Sequence, residues 1–413
     1  MRLTKEETEM LEGKYGYPVQ KSMEILVGLG ECYGADKMIP VTSAHILADW
    51  TVHRKAGALF VEEMAEKGGK CVIHTDDNPW SLGPWAWKDK GIPEEFANWQ
   101  LKIHNAHVKM GVFVCHTCTP YYIGNVPRKG EHVAWSESSA VPVANSILGA
   151  RTNREGGGAS LAAALTGRVA NYGFHLDQNR YGNLKILVTA KLNGSHDYGT
   201  LGYFIGRVAP DGIPVLVGIP SSVPTESLVQ MGASAASSGS VAHYHIVGVT
   251  PEAPTEEAAF GPKKAKDWQT FEFGEKELRE TEELLSPATS REVELVVFGC
   301  PHASIGEIRE ITQLLSGKRL KSGVELWIWT SQIVRAYAEI MGYLDIIEAS
   351  GARIVCETCV VSAPEGYLKK RGIKTVATNS AKISHYIKTA QDVMPYCGST
   401  ERCVEAATSG IWR

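Results

Sequence analysis

The stretch that decides the fold is Val293-Glu294-Leu295-Val296-Val297-Phe298-Gly299-Cys300-Pro301-His302, an apolar run followed at once by glycine, cysteine and histidine. A short apolar run of this kind predicts a buried strand. Downstream, the pattern predicts helices at 304–315 and 331–347 and strands at 324–329 and 352–355. Strands that alternate with helices in this order predict a parallel sheet, and therefore an α/β protein.

Cysteine motifs follow the predicted strands. Cys300 comes directly after the first strand, the Cys356–Cys359 pair after the third, and Cys118 after an apolar run at 111–115. Because ligands of open α/β sheets bind outside the carboxyl ends of the strands, we expect these cysteines to share one site. Three thiolates are a ligand set for an iron–sulfur cluster or for zinc. Because a closed site has four protein ligands, a site with three leaves one metal coordination position open to substrate.

Composition excludes several classes of protein. The chain has 413 residues, 44% of them hydrophobic, and a net charge of −4, so nothing marks a nucleic-acid partner. No apolar run approaches the roughly 18 residues of a membrane span, and the charged N-terminus is unlike a secretory signal. Nine cysteines, an odd number at irregular spacing, argue against a disulfide framework. We therefore expect a cytoplasmic enzyme-sized protein without membrane or nucleic-acid partners.

The order of patterns along the chain suggests four regions. We expect an N-terminal region at 1–130 that ends at the first cysteine motif, a central region at 131–285, a βαβαβ domain at 286–375, and a C-terminal segment at 376–413 that packs back on a cleft. Within them, the pattern predicts a strand at 70–74, a polar loop outside the core at 77–80, and a surface connection at 250–281.

Polar groups concentrate between residues 135 and 158. Glu137 stands among three serines, and Arg151 and Arg154 precede a run of three glycines. If the segment is helical, these arginines lie one turn apart, where they could clamp a carboxylate or phosphate or form ordinary surface ion pairs. A glycine-rich turn exposes backbone N–H groups, which favours anion binding.

Several of these segments together resemble the catalytic part of the aconitase X family, whose members are dehydratases of the aconitase superfamily. The matching segments are Cys118-Thr119-Pro120-Tyr121, residues 130–140, Ala144-Asn145-Ser146, residues 149–157, Gly299-Cys300-Pro301-His302 and Thr378-Asn379-Ser380-Ala381-Lys382. The resemblance implies an aconitase-like, multi-domain α/β architecture with parallel βαβ units around a central cleft. It also implies dehydration of a small β-hydroxy acid, of the phosphomevalonate or the cis-3-hydroxy-L-proline type.

The resemblance also assigns residues to roles. It implies an iron–sulfur cluster, [4Fe–4S] in preference to [2Fe–2S], on Cys118, Cys300 and Cys359. The candidate catalytic residues are Glu137, Ser138, His302 and Lys382, although His302 could equally be structural. The candidate substrate-binding residues are Asp49, Asn78, Pro79, Ser139, Asn145, Arg151, Asn153 and Arg154. The sequence departs from phosphomevalonate enzymes around Asp49 and Trp50, and Asp49 suits an ammonium group better than a phosphate.

Other interpretations remain open at this point. The small swivelling domain of aconitase-type enzymes has no counterpart in the sequence, so the resemblance implies a separate small subunit. An electron-transfer protein would use the same thiolates without the arginines. A zinc-stabilised binding protein would add Cys115 or Cys356 as a fourth ligand, since both belong to C-x-x-C pairs.

Overall fold

The computed structural model describes residues 1–81, 91–262 and 268–413. The chain divides into two compact units, one formed by residues 1–181 with 250–252 and the other by 182–249 with 253–413. None of the helices in the described residues combines the length and apolar character that crossing a membrane requires. The predicted division into four regions stays a prediction.

The first unit consists of a small parallel sheet surrounded by helices, with an antiparallel pair beside it. Its elements are α1 (Lys5–Leu11), α2 (Tyr17–Cys32), β1 (Met38–Pro40), β2 (Ser43–Ile46), α3 (Trp50–Glu66), β3 (His74–Asp77), α4 (Glu94–Met110), β4 (Ala134–Trp135), α5 (Ala140–Pro142), α6 (Gly157–Thr166) and β5 (Arg168–Ala170). The parallel sheet has the order β3-β2-β4, and β1 pairs with β5. Apolar side chains such as Ile46, Met64 and Ile103 form its core.

The second unit contains two parallel sheets. Its elements are β6 (Leu184–Val188), α7 (Gly194–Val208), β7 (Pro214–Val217), α8 (Thr225–Gly239), β8 (His245–Ile246), α9 (Glu256–Phe260), β9 (Thr270–Phe273), α10 (Glu275–Leu285), β10 (Leu295–Phe298), α11 (Ile305–Leu315), β11 (Glu325–Thr330), α12 (Gln332–Ile340), α13 (Tyr343–Ser350), β12 (Arg353–Cys356), α14 (Tyr367–Lys370), β13 (Thr375–Thr378), α15 (Ala381–Gln391), β14 (Met394–Cys397) and α16 (Thr400–Ser409). The sheet orders are β8-β7-β6-β9 and β12-β11-β10-β13-β14.

The predicted βαβαβ segment and its parallel sheet are confirmed. Strands β10, β11 and β12 pair in parallel, and β10 is buried along its whole length. The second predicted helix is two helices, because Gly342 adopts a left-handed conformation between α12 and α13. Strands buried on both faces give continuous apolar runs, so this part of the fold was visible in the sequence.

Three local predictions are wrong. The strand expected at 70–74 begins only at His74, and the loop at 77–80 is buried, with Asp77 and Trp80 fully inaccessible. The surface connection expected at 250–281 contains α9, β9 and the start of α10, while its residues 263–267 lie outside the described part of the chain.

Helices α7 and α8 approach each other through glycines. A Cβ atom added at Gly202 would overlap the carbonyl oxygen of Met231, and one added at Gly239 would overlap that of Gly206. Only glycine permits backbones to approach this closely. Gly28 in α2 provides a contrast, since an added Cβ there would meet nothing within 4 Å.

Substitution of these two helical glycines by alanine should change stability in opposite directions. We expect Gly28→Ala to stabilise the protein by roughly 0.5–1 kcal/mol, because alanine is the better helix former. Gly202→Ala should destabilise it by about 1–3 kcal/mol through overpacking against α8. Denaturant unfolding of both variants measures the effect, and equal shifts would contradict the close approach.

Candidate functional site

Strand β3 of the first unit ends with two aspartates and is followed directly by an asparagine. Asp76, Asp77 and Asn78 are all at most 5% exposed, and they lie at the carboxyl end of a parallel sheet. Because burial of a carboxylate is costly unless it is paired and hydrogen-bonded, each of them must have specific partners. Those partners define the candidate site.

Asp76 is paired with His45 on the neighbouring strand β2. Its Oδ1 lies 2.6 Å from His45 Nδ1, and its Oδ2 accepts a hydrogen bond of 2.9 Å from Asn125. Burial alone would lower the pKa of His45, but the charge and hydrogen bond of Asp76, together with Glu137 and Asn78, more than offset it, so the pKa is raised above its ordinary value. His45 Nε2 faces a second acceptor, Asn78 Oδ1, at 3.2 Å. An imidazolium ion satisfies both contacts.

Asn78 connects this pair to Glu137. Its Nδ2 donates to Glu137 Oε2 at 2.8 Å, and Glu137 Oε1 accepts from the hydroxyl of Ser139 at 2.8 Å and from that of Ser138 at 3.2 Å. Glu137 is only partly buried. A continuous hydrogen-bonded chain therefore runs from buried Asp76 to a carboxylate that solvent or a ligand can reach.

Asp77 holds the loop that carries Cys118. Its Oδ1 accepts from the backbone N–H groups of Cys115 at 3.0 Å and His116 at 2.9 Å, and His107 Nδ1 lies 3.1 Å from its Oδ2. Burial would raise the pKa of Asp77, but the neighbouring histidines hold it well below its usual range. Cys118 itself is 7% exposed. The run 111–115 before it makes only an isolated bridge at Phe113, so the strand predicted there is wrong.

The other two predicted cluster ligands lie within the second unit. Cys300 follows β10, and Cys359 follows β12 in a loop after Cys356, so both come after the carboxyl ends of strands in one parallel sheet. The two loops are in contact, because His302 Nε2 lies 3.1 Å from the carbonyl oxygen of Thr358. The predicted common sheet edge for these two cysteine motifs is therefore confirmed.

Residues that flank these cysteines leave polar atoms unsatisfied. Thr358 Oγ1 and Asn379 Oδ1 are buried and have no hydrogen-bond partner among the described residues. Buried polar atoms normally have partners, so an additional bound group is one explanation for atoms of this kind. Together with two thiols, they are compatible with a bound metal or cluster. Lys382 lies in the first turn of α15, three residues after Asn379.

The predicted arginine clamp is not helical. Residues 151–156 precede α6 without forming a helix, so Arg151 and Arg154 are not one helical turn apart. Arg151 forms an ion pair with Asp177 and donates to the carbonyl oxygen of His175 at 3.1 Å. Arg154 is exposed.

The remaining predicted residues have clear structural contacts. Asp49 caps α3 by accepting from Thr51 N at 2.7 Å, and it also contacts Ser81. The Asn145 amide donates to the carbonyl oxygen of Thr152 at 2.9 Å and accepts from the backbone N–H of Thr152 at 3.0 Å. Asn153 Oδ1 accepts from Phe174 N at 2.8 Å, and Pro79 directly follows Asn78.

Sequence reasoning missed Glu155 as well as His45, Asp76 and Asp77. Glu155 is 6% exposed, and burial raises its pKa to about 7. Its Oε1 has no hydrogen-bond partner among the described residues, and its backbone N–H donates to Trp135 O, next to the Glu137 segment. For Asp76 and Asp77, the available signal was two adjacent carboxylates just after the predicted strand, since ligands of parallel sheets bind at the carboxyl ends of strands.

Comparison with known proteins identifies the family. Family models for the aconitase X first, second and third domains match residues 1–178, 182–283 and 293–409. The chain belongs to the aconitase X family. The crystal structure of Thermococcus kodakaraensis aconitase X in its holo-form covers 98% of this chain and is itself fully covered, with a TM-score of 0.88 at 38% identity.

Curated relatives of this aconitase X chain are named as dehydratases. The phosphomevalonate dehydratase large subunit of Methanothermobacter thermautotrophicus is 42% identical over 93% of either chain. The cis-3-hydroxy-L-proline dehydratase of Pseudomonas aeruginosa is 34% identical over 99% of this chain but 70% of that protein. The predictions of the family, of the fold class and of a hydro-lyase are thus confirmed.

Replacement of Asp77 by asparagine should destabilise the protein in a pH-dependent manner. In the unfolded chain an aspartate has a pKa of about 4, and in the folded protein the pKa of Asp77 is lower. The charged Asp77 therefore stabilises the fold fully above about pH 4, and this stabilisation is lost as the pH falls further. We expect Asp77→Asn to cost roughly 3 kcal/mol at neutral pH, as for other broken buried pairs. Melting temperatures between pH 7 and pH 3 measure the difference from wild type, which should shrink on acidification.

The matched control is Asp36→Asn. The Asp36 side chain is 56% exposed, forms a surface ion pair with Arg2 and accepts a long hydrogen bond of 3.3 Å from Asn171. Such pairs contribute at most about 1 kcal/mol, so this variant should melt close to wild type at every pH. Similar losses in both variants would argue against a special role of the Asp77 cluster.

Proposed function

We propose that this chain is the catalytic large subunit of an aconitase X-type hydro-lyase that removes water from a small β-hydroxy acid. The observation that carries the proposal is the hydrogen-bonded chain from Asp76 through His45 and Asn78 to Glu137. It fixes a partly exposed carboxylate at the end of a parallel sheet, where ligands of α/β proteins bind.

Glu137 is the proposed base in this reaction. Dehydration of a β-hydroxy acid removes a proton from the α-carbon and the hydroxyl group from the β-carbon. Asn78 and Ser139 hold the two oxygens of Glu137 in one orientation, so the carboxylate is positioned before substrate binds. Ser138, whose hydroxyl also donates to Glu137, is the second proposed catalytic residue on this segment.

The proposed cofactor is an iron–sulfur cluster held by Cys118, Cys300 and Cys359. The common sheet edge of the latter two and the unsatisfied atoms Thr358 Oγ1 and Asn379 Oδ1 support it. When bound, the cluster supplies a Lewis-acid iron that turns a β-hydroxyl into a better leaving group. The resemblance favours [4Fe–4S] over [2Fe–2S].

The remaining groups would orient the substrate and handle the departing hydroxyl. His302, which is 2% exposed and lies with its Nε2 3.1 Å from Thr358 O, is the proposed proton donor to the leaving hydroxyl. Either the exposed Arg154 or Lys382 is the proposed partner of the substrate carboxylate, into which the negative charge that develops at the α-carbon spreads in the transition state. Arg151, Asn145 and Asn153 would support the segment that carries Arg154.

Two substrate types are proposed, with a phosphomevalonate-type acid first. The phosphomevalonate enzymes match in length as well as in sequence, at 42% identity over 93% of either chain. The structure also gives the Asp49 carboxylate a role as helix cap, which weakens the case that it meets an ammonium group. The relative that acts on cis-3-hydroxy-L-proline supports the second type, at 34% identity.

The proposed partner is a separate small subunit in the cytoplasm. Relatives carry the name "large subunit", which supports a second polypeptide. The hydroxyproline relative is matched over 70% of its own length, so it holds further sequence that this chain does not match. Such a subunit would close over the site and exclude water from it.

Glu137→Gln tests the proposed base. The amide keeps the shape and most hydrogen bonds but cannot take a proton, so we expect turnover to fall about 10²–10⁴-fold with unchanged iron content. The assay follows anaerobic dehydration of 5-phosphomevalonate and of cis-3-hydroxy-L-proline, with a cognate small subunit present. Glu131→Gln, six residues away and bonded only locally to Arg128 N, is the control. Full activity in Glu137→Gln would disprove the assignment.

Iron content tests the proposed ligands separately from activity. We expect Cys118→Ala, Cys300→Ala and Cys359→Ala each to lose bound iron and its absorbance under anaerobic conditions. Cys403 in α16 is fully buried like Cys300, and Cys32 is exposed, so Cys403→Ala and Cys32→Ala serve as controls that retain iron. Full iron retention in Cys300→Ala would exclude it as a ligand.

A further inference from the structure

A second group of metal-ligating side chains lies in the second unit, apart from the proposed cluster cysteines in sequence. His196 and Asp197 belong to the first turn of α7, and Glu282 belongs to α10. One ligand atom from each of them lies within 4.8 Å of the others. His196 is 4% exposed, while the Glu282 side chain is 33% exposed and leaves a route to solvent.

The His196 ring is held at both nitrogens. Its Nε2 lies 3.0 Å from Glu282 Oε1, and its Nδ1 lies 3.8 Å from Cys397 Sγ. Histidines that bind metal through one nitrogen nearly always donate the other N–H to an acceptor, which fixes the ring. Cys397, at the end of β14, supplies such an acceptor for Nδ1.

Negative charge exceeds positive charge around this ring. Asp197 and Glu282 both approach it, Glu275 adds a third carboxylate near Asp197, and Arg402 is the cation that acts on Glu282. Asp197 Oδ2 accepts a hydrogen bond of 2.6 Å from the backbone N–H of Asn193, while Glu282 pairs with His196 Nε2. An ion pair with His196 needs only one carboxylate, and a bound cation would engage the second one as well.

We propose that His196 Nε2, Asp197 and Glu282 form a binding site for a divalent transition metal of the zinc class, with Cys397 as the residue that orients the His196 ring. One imidazole nitrogen and two carboxylates are a donor set that Zn²⁺ accepts, with water at the open position. Ligands about 2.0 Å from zinc lie roughly 3.3 Å apart in a tetrahedron, close to the 3.0 Å between Nε2 and Oε1.

Metal binding at this site must displace a proton. The hydrogen bond between His196 Nε2 and Glu282 Oε1 places a proton on that nitrogen in the metal-free site. A metal at Nε2 replaces this proton, and affinity therefore increases with pH.

Zinc titration of the iron-loaded protein tests the proposal. After treatment with a weak chelator, wild type should bind one equivalent of Zn²⁺ by calorimetry, with an affinity that increases between about pH 6 and pH 8. Iron content is measured in parallel to show that the cluster is unchanged. Glu282→Gln and Asp197→Asn, which preserve side-chain shape, should each weaken binding at least about 100-fold. Cys397→Ser should weaken it about 10–100-fold.

Two controls make the outcome decisive. Glu280→Gln removes a carboxylate from the same helix, where Glu280 forms only an exposed ion pair with Lys276. His385→Ala removes a half-buried histidine of the same unit whose ring contacts Tyr203. Both should bind zinc like wild type. Absence of zinc binding in wild type, or wild-type affinity in either Glu282→Gln or Asp197→Asn, would overturn the proposal.

Discussion

The first unit depends on the cost of burying two adjacent carboxylates. Asp76 and Asp77 are fully removed from solvent at the end of β3, where an unpaired charge would cost several kcal/mol or more. Successive residues of a strand point to opposite faces, so the two carboxylates recruit different partners. Asp76 fixes His45 and Asn125, while Asp77 fixes His107 and the backbone at Cys115 and His116. One dipeptide thus positions both the Glu137 chain and the Cys118 loop.

The second unit is organised by topology more than by charge. Five parallel strands bring their carboxyl ends to one edge, and residues distant in sequence, such as Cys300, Thr358 and Asn379, follow them. The sheet interior is apolar, so polar groups collect where strands stop and helices begin. This is the usual origin of ligand sites in α/β proteins.

Much of the second unit could be predicted from sequence because its strands are continuous apolar runs. The 293–299 segment and the cysteines that follow β10 and β12 are examples. Strand β3 could not be predicted in the same way, since its buried residues are threonine and aspartate rather than apolar side chains. Their burial is made possible by His45 and His107, about 30 residues away in either direction. The local sequence pattern does not reveal such partners.

The helical spacing assumed for Arg151 and Arg154 is wrong for a similar reason, because the backbone of Arg151 pairs with that of His132 in an isolated β-bridge.

Ser380 joins two parts of the second unit through a single hydroxyl. Its Oγ donates to the carbonyl oxygen of Cys300 and accepts from the backbone N–H of Ile383, which caps helix α15. The loop after β10 and the helix that carries Lys382 are therefore both hydrogen-bonded to the same atom, Ser380 Oγ. The start of α15 and the backbone at Cys300 are thus coupled through one short, buried side chain, and loss of that hydroxyl would free both at once.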